Sequence, residues 1–333
     1  MDYVNLGRTG VMVSQACVGT MTFGWEPEDW GSFEEQALKV AHKALDLGIN
    51  FFDTADVYAR GKSEEILGKA IKGKREELVI ATKCHGKMSD TDPNAKGNSY
   101  LHIVRACEAS LKRLGTDYID LYQIHRPQPS IPIDETLRAL DYLRRAGKIL
   151  YAGSSTYAGW QLAEAHYVAK EMGAAGFVSE QPPYNLLDRR AERELLPFTR
   201  TYDYAVLPWS PLAGGMLSGK YLDQKPSEGR YANSDPAGRL EKLPRQKLLR
   251  FKALADKNGM SMATLALAWV ASQPGVTCPI VGARSEQQLE ESVAACGIRL
   301  SAPVLKKIDE IFEPGSYHIS YYTADFGPNA RPR

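Results

Sequence analysis

The chain lacks an excess of charge of either sign. Its 333 residues include 41 lysines and arginines against 40 aspartates and glutamates, which gives a formal net charge of +1. A nucleic acid or an anionic membrane as partner usually requires a concentrated basic patch, so the composition predicts neither. Long hydrophobic runs are also missing, since none approaches the roughly 20 residues that span a bilayer. The first residues show no basic start followed by an apolar stretch, as a signal peptide would, and we therefore predict a cytoplasmic protein.

Patterns for metal binding and for disulfides are missing as well. The five cysteines are odd in number and scattered, with no Cys-x-x-Cys pair, which predicts neither a zinc site nor a disulfide framework. His42, His102 and His166 fall in segments with helical periodicity, and no His-Glu-x-x-His motif occurs. We therefore expect reduced thiols and no bound metal.

Short apolar runs alternate with helix-like segments along the chain. Residues 34–47 and 132–146 repeat apolar residues at the spacing of an amphipathic helix that lies on a sheet. Eight strand–helix units at this chain length predict an α/β fold of the closed (β/α)8 type, the TIM barrel. A doubly wound open sheet is the rival fold, but residues 19–24 do not have the glycine spacing of its dinucleotide-binding form. The predicted strands are 16–20, 49–53, 78–83, 118–124, 149–153, 177–180, 204–209 and 277–281.

Several segments lie outside this alternating pattern. Residues 3–14 contain two short extended runs around a glycine-containing turn, which predicts a separate β-hairpin. Residues 84–98, residues 214–244 and the tail after about 313 are too long and polar for plain connections. The first two follow strands, so they would project from the C-terminal face of the barrel, where active sites of this fold lie. Because no repeat or interdomain linker interrupts the chain, we predict one domain over 1–333, with the barrel at about 15–300.

Four polar side chains stand at or just beyond the ends of three consecutive predicted strands. Asp53, Lys83 and His125 end or directly follow the second, third and fourth strands, and Tyr58 lies shortly after Asp53. Taken alone, each has an ordinary structural explanation, such as a turn residue, a solvated lysine or a packed aromatic ring. In a parallel barrel, however, all four would meet at one rim, and chance explains such a group poorly.

Together these four residues would form a proton-transfer site. A free tyrosine, with a pKa near 10, is a poor acid at neutral pH, but a buried ammonium beside it stabilises the phenolate. Asp53 would hold Lys83 in place, so that Tyr58 could give a proton to a carbonyl oxygen as hydride reaches the carbon. His125 would orient that oxygen or carry part of its developing charge.

The motifs that contain these residues resemble those of the aldo-keto reductases. The similarity covers about residues 3–300 and is carried by segments 50–58 (NFFDTADVY), 61–68 (GKSEEILG), 81–83 (ATK) and 120–125 (DLYQIH). The resemblance implies a (β/α)8 barrel whose bottom is closed by the N-terminal hairpin, and NADPH bound in an extended form. It also implies a catalytic tetrad of Asp53, Tyr58, Lys83 and His125.

The resemblance implies contacts to the nicotinamide end of the cofactor. Ser154 and Gln181 would hold the carboxamide, with Ser155 standing where many relatives have Asn. Trp209 would stack on the nicotinamide ring, where tyrosine is commoner in the family. Its alternative role is that of an aromatic residue in the barrel core.

A glycine-rich segment after the seventh predicted strand partly matches the motif of a phosphate-binding loop. Residues 214–220 satisfy the Gly-x4-Gly-Lys pattern, but Tyr221 replaces the Ser or Thr that would bind Mg²⁺. We therefore reject a nucleoside-triphosphatase. The resemblance instead places Ser210, Leu212 and Lys220 beside the pyrophosphate of the cofactor, with the following loop as a flap.

The end of the eighth predicted strand carries a second candidate phosphate site. Gly282 precedes a helix, whose free N–H groups and dipole favour an anion. Arg284 could bind a 2′-phosphate through two parallel hydrogen bonds, or it could simply be exposed. Binding of a 2′-phosphate by Arg284 would favour NADPH over NADH. Gln288 and Glu291 on the same helix are further candidate cofactor contacts.

The candidate substrate pocket lies around the tetrad. Trp25 and Trp30, after the first strand, and His85, after the third, would line it, although His85 could equally lie on a surface loop. The aromatic tail could wall the pocket or pack on the barrel; its rings are those of Tyr317, Tyr321, Tyr322 and Phe326. No pattern identifies the substrate or the oligomeric state.

We therefore predict that the chain reduces an aldehyde or ketone with NADPH, with Tyr58 as the general acid. The expected partner is a small carbonyl compound. Two alternatives stay open. One is the reverse reaction, NADP-dependent oxidation of an alcohol or sugar. The other is a regulatory NADPH-binding subunit or redox sensor with slow turnover, a role that the potassium-channel beta subunits of similar fold represent.

Overall fold

The computed structural model describes residues 1–25, 32–222, 230–231, 235 and 238–319. The strands in this part of the chain are β1 Tyr3–Asn5, β2 Met12–Ser14, β3 Cys17–Gly19, β4 Phe51–Asp53, β5 Val79–Cys84, β6 Ile119–Ile124, β7 Ile149–Ser155, β8 Phe177–Gln181, β9 Ala205–Val206 and β10 Ile280–Val281. The α-helices are α1 Glu34–Asp46, α2 Lys62–Ala70, α3 Tyr100–Leu114, α4 Ile133–Arg145, α5 Gly159–Glu171, α6 Leu195–Thr201, α7 Arg245–Lys257, α8 Met262–Ala271, α9 Glu286–Cys296 and α10 Ala302–Ile311.

Strands β3 to β10 form a single parallel sheet in the order β10-β3-β4-β5-β6-β7-β8-β9. Backbone hydrogen bonds also join its two outer segments. The Thr277 N–H donates to the Val206 carbonyl at 2.9 Å, and the Ile280 N–H donates to the Pro208 carbonyl at 2.8 Å. The sheet therefore closes on itself, and at least one helix follows each strand. This confirms the predicted (β/α)8 barrel.

The last two barrel strands are shorter than the sequence predicts. The predicted strand 204–209 reduces to Ala205–Val206, and 277–281 reduces to Ile280–Val281. Pro208 and Pro279 explain the difference, because proline has no N–H to donate to a neighbouring strand. The chain stays extended there, but regular pairing is interrupted.

The helices surround the barrel and bury one face each. The predicted segments 34–47 and 132–146 match α1 and α4 to within one residue at each end. Gly115 ends α3 at a φ of 65°, a left-handed conformation that glycine adopts without strain. Among the described helices, none has the length and the apolar character that crossing a membrane requires.

The N-terminal hairpin covers the end of the barrel where the strands begin. Leu6 and Val13 are fully buried and belong to one apolar cluster with Phe51 and Val79, the first residues of β4 and β5. The Arg8 N–H donates to the Asp203 carbonyl at 2.7 Å, just before β9. The hairpin therefore closes the bottom of the barrel and leaves the opposite rim to the loops that follow the strands.

The segment after α10 lies against the loop that follows β8. The Arg189 N–H donates to the Ser316 carbonyl at 2.8 Å, and the His318 N–H donates to the Leu187 carbonyl at 2.8 Å. The Arg190 guanidinium lies 4.9 Å from the centre of the Tyr317 ring. Tyr317 therefore packs on this loop. The other aromatic residues of the tail, at positions 321, 322 and 326, lie outside the described residues.

Candidate active site

Lys83 lies at the C-terminal end of the barrel interior. Strand β5 alternates, so Lys83 shares the inner face with Ala81, which packs in the interior cluster. Its side chain is fully buried, and Nζ donates to Asp53 Oδ1 at 2.5 Å, to the Thr54 carbonyl at 2.8 Å and to Tyr58 Oη at 3.3 Å. An ammonium has three donors. All three therefore have acceptors here, one of them a carboxylate.

Asp53 connects four strands of the barrel through its carboxylate. Oδ1 accepts from Lys83, while Oδ2 accepts from Gln123 Nε2 at 3.0 Å and from Gln181 Nε2 at 2.8 Å. The four residues come from β4, β5, β6 and β8. A buried charge is tolerated when it is paired and hydrogen-bonded, and this network meets both conditions.

A strained turn brings Tyr58 to the ammonium of Lys83. Tyr58 begins a short 3-10 turn in which Ala59 and Arg60 adopt left-handed φ angles of 46° and 52°, followed by Gly61 at 95°. Residues other than glycine rarely adopt this conformation, and such strain is concentrated at functional sites. The turn reverses the chain between β4 and α2 and leaves the Tyr58 phenol half-buried at the rim.

His125 completes the group that the sequence predicts. Its backbone N–H donates to the Cys84 carbonyl at 3.0 Å, which extends the pairing of β5 and β6 to the rim. The His125 and Tyr58 rings meet edge to face, with their centres 5.7 Å apart. The structure thus brings Asp53, Tyr58, Lys83 and His125 together at one end of the barrel.

The electrostatics of this cluster keep Lys83 charged and His125 neutral at pH 7. Burial alone lowers the pKa of Lys83, but the charges and hydrogen bonds of Asp53 and Tyr58 outweigh it and leave the pKa raised. Burial, followed by the positive charge of Lys83, lowers the pKa of His125 well below its usual value. A neutral imidazole beside a phenol and an ammonium can donate or accept one hydrogen bond without adding charge.

Ser154 does not face the tetrad. It pairs in register with Glu180, and its hydroxyl donates to Glu180 Oε2 at 2.6 Å on the outer side of the strands. Ser155 pairs with Gln181, whose side chain points inwards to Asp53. Because side chains alternate along a strand, the predicted position is displaced by one residue. The hydroxyl on the Gln181 side is that of Ser155.

Trp209 stands at the same rim, half-buried between two apolar clusters. Its backbone N–H donates to the Pro182 carbonyl at 3.0 Å, directly after β8. The guanidinium of Arg126 lies 5.7 Å from the centre of its ring. The ring therefore reaches both the apolar core and the rim, and stacking on a nicotinamide stays a prediction.

The residues predicted to lie beside the pyrophosphate follow Trp209. Ser210, at a left-handed φ of 53°, accepts a hydrogen bond from Asn185 through its carbonyl at 3.2 Å. Leu212 is half-buried and packs against both large core clusters. Partial burial, and then the positive charge of Arg284, lowers the pKa of Lys220. Lys220 and Arg284 thus place two positive charges within electrostatic range of each other.

The turn from β10 into α9 contains the predicted phosphate-site residues Gly282 and Arg284. Gly282 is exposed, and the nearest atom to an added Cβ would be the Gly19 carbonyl oxygen at 3.9 Å, so its backbone is open to a ligand. Gln288 Oε1 accepts from the Arg284 N–H at 3.0 Å, so the Gln288 side chain reaches back to the turn, while the Ser285 hydroxyl caps α9. Glu291 is exposed on the following turn and accepts from Gln287 at 2.9 Å.

Two of the three predicted pocket residues lie in the described part of the chain. His85 is half-buried, and its Nδ1 lies 2.8 Å from Asn98 Oδ1, at the start of the loop after β5. Burial lowers its pKa. Trp25 is half-buried after β3. Trp30 lies outside the described residues.

Three residues of the site escaped the sequence analysis. Gln123 and Glu180 are polar residues within buried strands, and each lies next to a residue already singled out or two positions from it. Glu180 is fully buried, and burial raises its pKa to about 8. Arg126 directly follows His125. For Gln123 and Glu180, the signal in the sequence was a polar side chain within an otherwise apolar strand.

Comparisons with known proteins agree with this architecture. The model of the Aldo/keto reductase family matches residues 16–313. An uncharacterized oxidoreductase, YrpG, of Bacillus subtilis is 42% identical over 95% of this chain and 97% of its own length. A putative voltage-gated potassium channel subunit beta of Schizosaccharomyces pombe is 38% identical over 95% and 94%. The versiconal hemiacetal acetate reductase of Aspergillus parasiticus is 35% identical over 96% and 99%. The chain is an oxidoreductase that belongs to the aldo/keto reductase family.

Proposed function

We propose that the chain reduces an aldehyde or ketone to the alcohol with NADPH, and that Tyr58 is the proton donor. The observation that carries this proposal is the position of Lys83 Nζ, which contacts Asp53 Oδ1 at 2.5 Å and Tyr58 Oη at 3.3 Å. A buried ammonium that touches a phenol oxygen can stabilise the phenolate that remains when a tyrosine gives its proton to a carbonyl oxygen.

Each residue of the tetrad has a distinct task. His125, neutral at pH 7, donates a hydrogen bond to the carbonyl oxygen and orients it. Tyr58 transfers its proton to that oxygen, and Lys83 stabilises the phenolate that remains. Asp53 keeps the ammonium in position. Bound NADPH supplies the hydride that reduces the carbonyl carbon.

The residues around the rim fit the parts of this cofactor. Lys220 and Arg284 supply positive charge for phosphates, and the open backbone of Gly282 lies before the N-terminus of α9. Arg284 would bind the 2′-phosphate. At the other end, Gln181 and Trp209 would contact the nicotinamide, and Ser155 replaces Ser154 as the serine on that side.

Two related functions remain candidates for specific reasons. The same tetrad catalyses alcohol oxidation, since the proton transfer is reversible. A regulatory NADPH-binding role is favoured only by the similarity to the potassium channel subunit beta of S. pombe. We further propose that the chain forms a single domain. A cytoplasmic location is supported by the five cysteines, which are all buried free thiols.

The test is the loss of NADPH absorbance with an activated aromatic aldehyde, run in parallel with NADH. The Tyr58→Phe variant should bind NADPH but turn over about two to four orders of magnitude more slowly. Tyr142→Phe, which changes an exposed phenol on α4, is the matched control and should keep full activity. Tight NADPH binding without turnover would favour the regulatory role, and absence of NADPH binding would refute the proposal.

A further inference from the structure

We propose that Glu64, paired with Arg113, is a positioning residue for Tyr58. The pair holds the strained turn that brings the phenol to the ammonium of Lys83. This inference rests on the proposed function, because it concerns the residue that would give up the proton. Glu64 belongs to segment 61–68, one of the motifs that carry the family resemblance, and lies outside the tetrad and the predicted cofactor contacts.

The turn that Tyr58 begins needs support from outside itself. Ala59 and Arg60 have left-handed φ angles of 46° and 52°, and Gly61 follows at 95°. Consecutive residues other than glycine in this conformation are unfavourable, and they persist only where the surrounding structure maintains them. A relaxed turn would change the 3.3 Å separation between Tyr58 Oη and Lys83 Nζ. The position of the phenol therefore depends on the contacts that keep the turn in shape.

Arg113, in the last turn of α3, lies directly against the end of this turn. A Cβ added to Gly61 would lie 2.6 Å from Arg113 Cδ and 2.9 Å from its Nε, so the arginine side chain passes over the glycine backbone. Glycine is needed here both for its left-handed φ and for the space that it leaves. Arg113 Nη2 also donates to Ser110 Oγ at 3.2 Å on the same helix. Arg113 therefore covers the strained turn and is itself held on α3.

Glu64 connects this arginine to the strand that carries the ammonium. It is fully buried in the first turn of α2. Its Oε2 accepts from Arg113 Nε at 2.6 Å, and its Oε1 accepts from Thr82 Oγ1 at 2.5 Å. Thr82 directly precedes Lys83 on β5, and its side chain therefore points to the opposite, outer face of the strand. One carboxylate thus joins α2 both to β5 and to the helix that covers the turn.

A second buried carboxyl group lies close by but does not replace Glu64. Asp56 is fully buried two residues before Tyr58, and its backbone N–H donates to the Lys83 carbonyl at 3.1 Å. Burial, and then the negative charge of Glu64, raises the pKa of Asp56 to about 8, so this acid is mostly protonated at pH 7. Neither of its carboxyl oxygens has a hydrogen-bond partner in the described part of the chain. Glu64 therefore supplies the carboxylate that pairs with Arg113.

Loss of this ion pair should slow the reaction without weakening cofactor binding. Glutamine in place of Glu64 can still hydrogen-bond to Thr82 but has no charge to hold Arg113. A displacement of about 1 Å in a reacting group can cost about 100-fold in rate. We therefore expect Glu64→Gln to slow hydride transfer about 10- to 100-fold at saturating NADPH. The KM for NADPH should change by less than about twofold, since the predicted cofactor contacts lie at the ends of β7 to β10.

The experiment measures hydride transfer from NADPH to 4-nitrobenzaldehyde in a single turnover, so that product release does not hide the chemical step. Asp120→Asn is the matched control. Asp120 forms a largely buried pair with Arg75 at 2.6 Å, but it lies near the start of β6, at the end of the barrel opposite the tetrad. Both single variants should unfold at lower urea concentration than the wild type. Only Glu64→Gln should also lose the rate of hydride transfer.

A double variant separates positioning from loss of stability. Glu64→Gln combined with Arg113→Met removes both charges, and replacing a whole buried pair is often close to neutral for stability. The double variant should therefore unfold near the wild-type urea concentration and still transfer hydride as slowly as Glu64→Gln. It also tests the inference if Glu64→Gln alone does not fold.

Amide hydrogen exchange gives a readout that does not depend on turnover. The Tyr58 and Arg60 N–H groups donate to backbone carbonyls of the same segment, both at 3.2 Å. These amides should exchange faster than in the wild type when the double variant loosens the turn, and at the wild-type rate in Asp120→Asn.

Two results would overturn the inference. One is a double variant with the wild-type rates of hydride transfer and of amide exchange in the turn. The other is an equal loss of rate in Glu64→Gln and Asp120→Asn, since the effect would then come from stability alone. A wild type that binds NADPH but transfers no hydride would instead refute the proposed function. Amide exchange would then still show whether Glu64 holds the turn.

Discussion

Replacing Asp53 with Asn should destabilise the protein, because it leaves the Lys83 ammonium buried without its anion. In this variant Lys83 keeps the Thr54 carbonyl and the Tyr58 hydroxyl as acceptors but loses the carboxylate at 2.5 Å. Removing one partner of a buried ion pair costs about 3–5 kcal/mol. We expect a decrease of that size in the free energy of unfolding at pH 7, measured by urea denaturation.

The destabilisation should become smaller as the pH rises. In the wild type the pKa of Lys83 is raised, so its contribution is fully present below the unfolded value of 10.5 and is lost only as the pH passes the higher folded value. In Asp53→Asn, burial prevails and the folded pKa falls below the unfolded one. The unfolded variant then binds more protons, so its stability increases with pH. The difference from the wild type should therefore be smaller at pH 9 than at pH 7.

A double variant provides the control for this reasoning. Asp53→Asn combined with Lys83→Met removes both charges, and replacing a whole buried pair is often close to neutral. The double variant should therefore recover most of the lost stability while remaining inactive, since the ammonium beside Tyr58 is gone. A loss below about 1 kcal/mol in the single variant, or an equal loss at both pH values, would refute the ion-pair account.

Three further predictions follow from individual residues. The pKa of the fully buried Glu180 is raised to about 8, above its unfolded value. As the pH rises from 5 to 8, the wild type should therefore lose free energy of unfolding relative to Glu180→Gln, by up to about 1.4 kcal/mol per pH unit. An equal pH dependence of the two free energies of unfolding would contradict this. Arg284→Ala should raise the KM for NADPH far more than the KM for NADH in steady-state assays, whereas equal effects would remove the 2′-phosphate assignment. Gly153→Ala should destabilise by about 1–3 kcal/mol in thermal or urea unfolding, because the new Cβ would lie 2.4 Å from Ser179 Oγ; Gly10→Ala, which meets no atom within 4 Å, is the control and should be nearly neutral.

The amino-acid sequence was sufficient to predict the barrel and the place of the tetrad. Eight apolar runs alternate with amphipathic segments, the number typical of a closed parallel barrel, and the glycine spacing at residues 19–24 argued against the open doubly wound sheet. Asp53, Lys83 and His125 stand at the ends of consecutive parallel strands, so their convergence follows from strand direction alone. These inferences depend on local periodicity and on chain order, which a sequence contains directly.

Contacts between strands that are far apart in sequence could not be predicted and were found only in the tertiary structure. The pairing of β7 with β8 shifts between Ala152 and Gly153, and this irregularity places Ser155 rather than Thr156 beside Gln181. A displacement of one residue moves a side chain to the opposite face, and no local pattern reports it. Gln123 on β6 reaches Asp53 on β4 across β5, a contact between residues 70 positions apart that no local pattern contains.

The rim of the site depends still more on tertiary structure. Arg126 contacts Thr156 and Trp209, residues of two other loops, and its direction depends on a left-handed angle at Thr156. Residue type alone does not predict such an angle, because the surrounding structure maintains it against its local preference. The chain's sequence thus determined which strands are present and which polar groups stand at their ends. The packing of the loops decided which further side chains meet at the rim of the barrel.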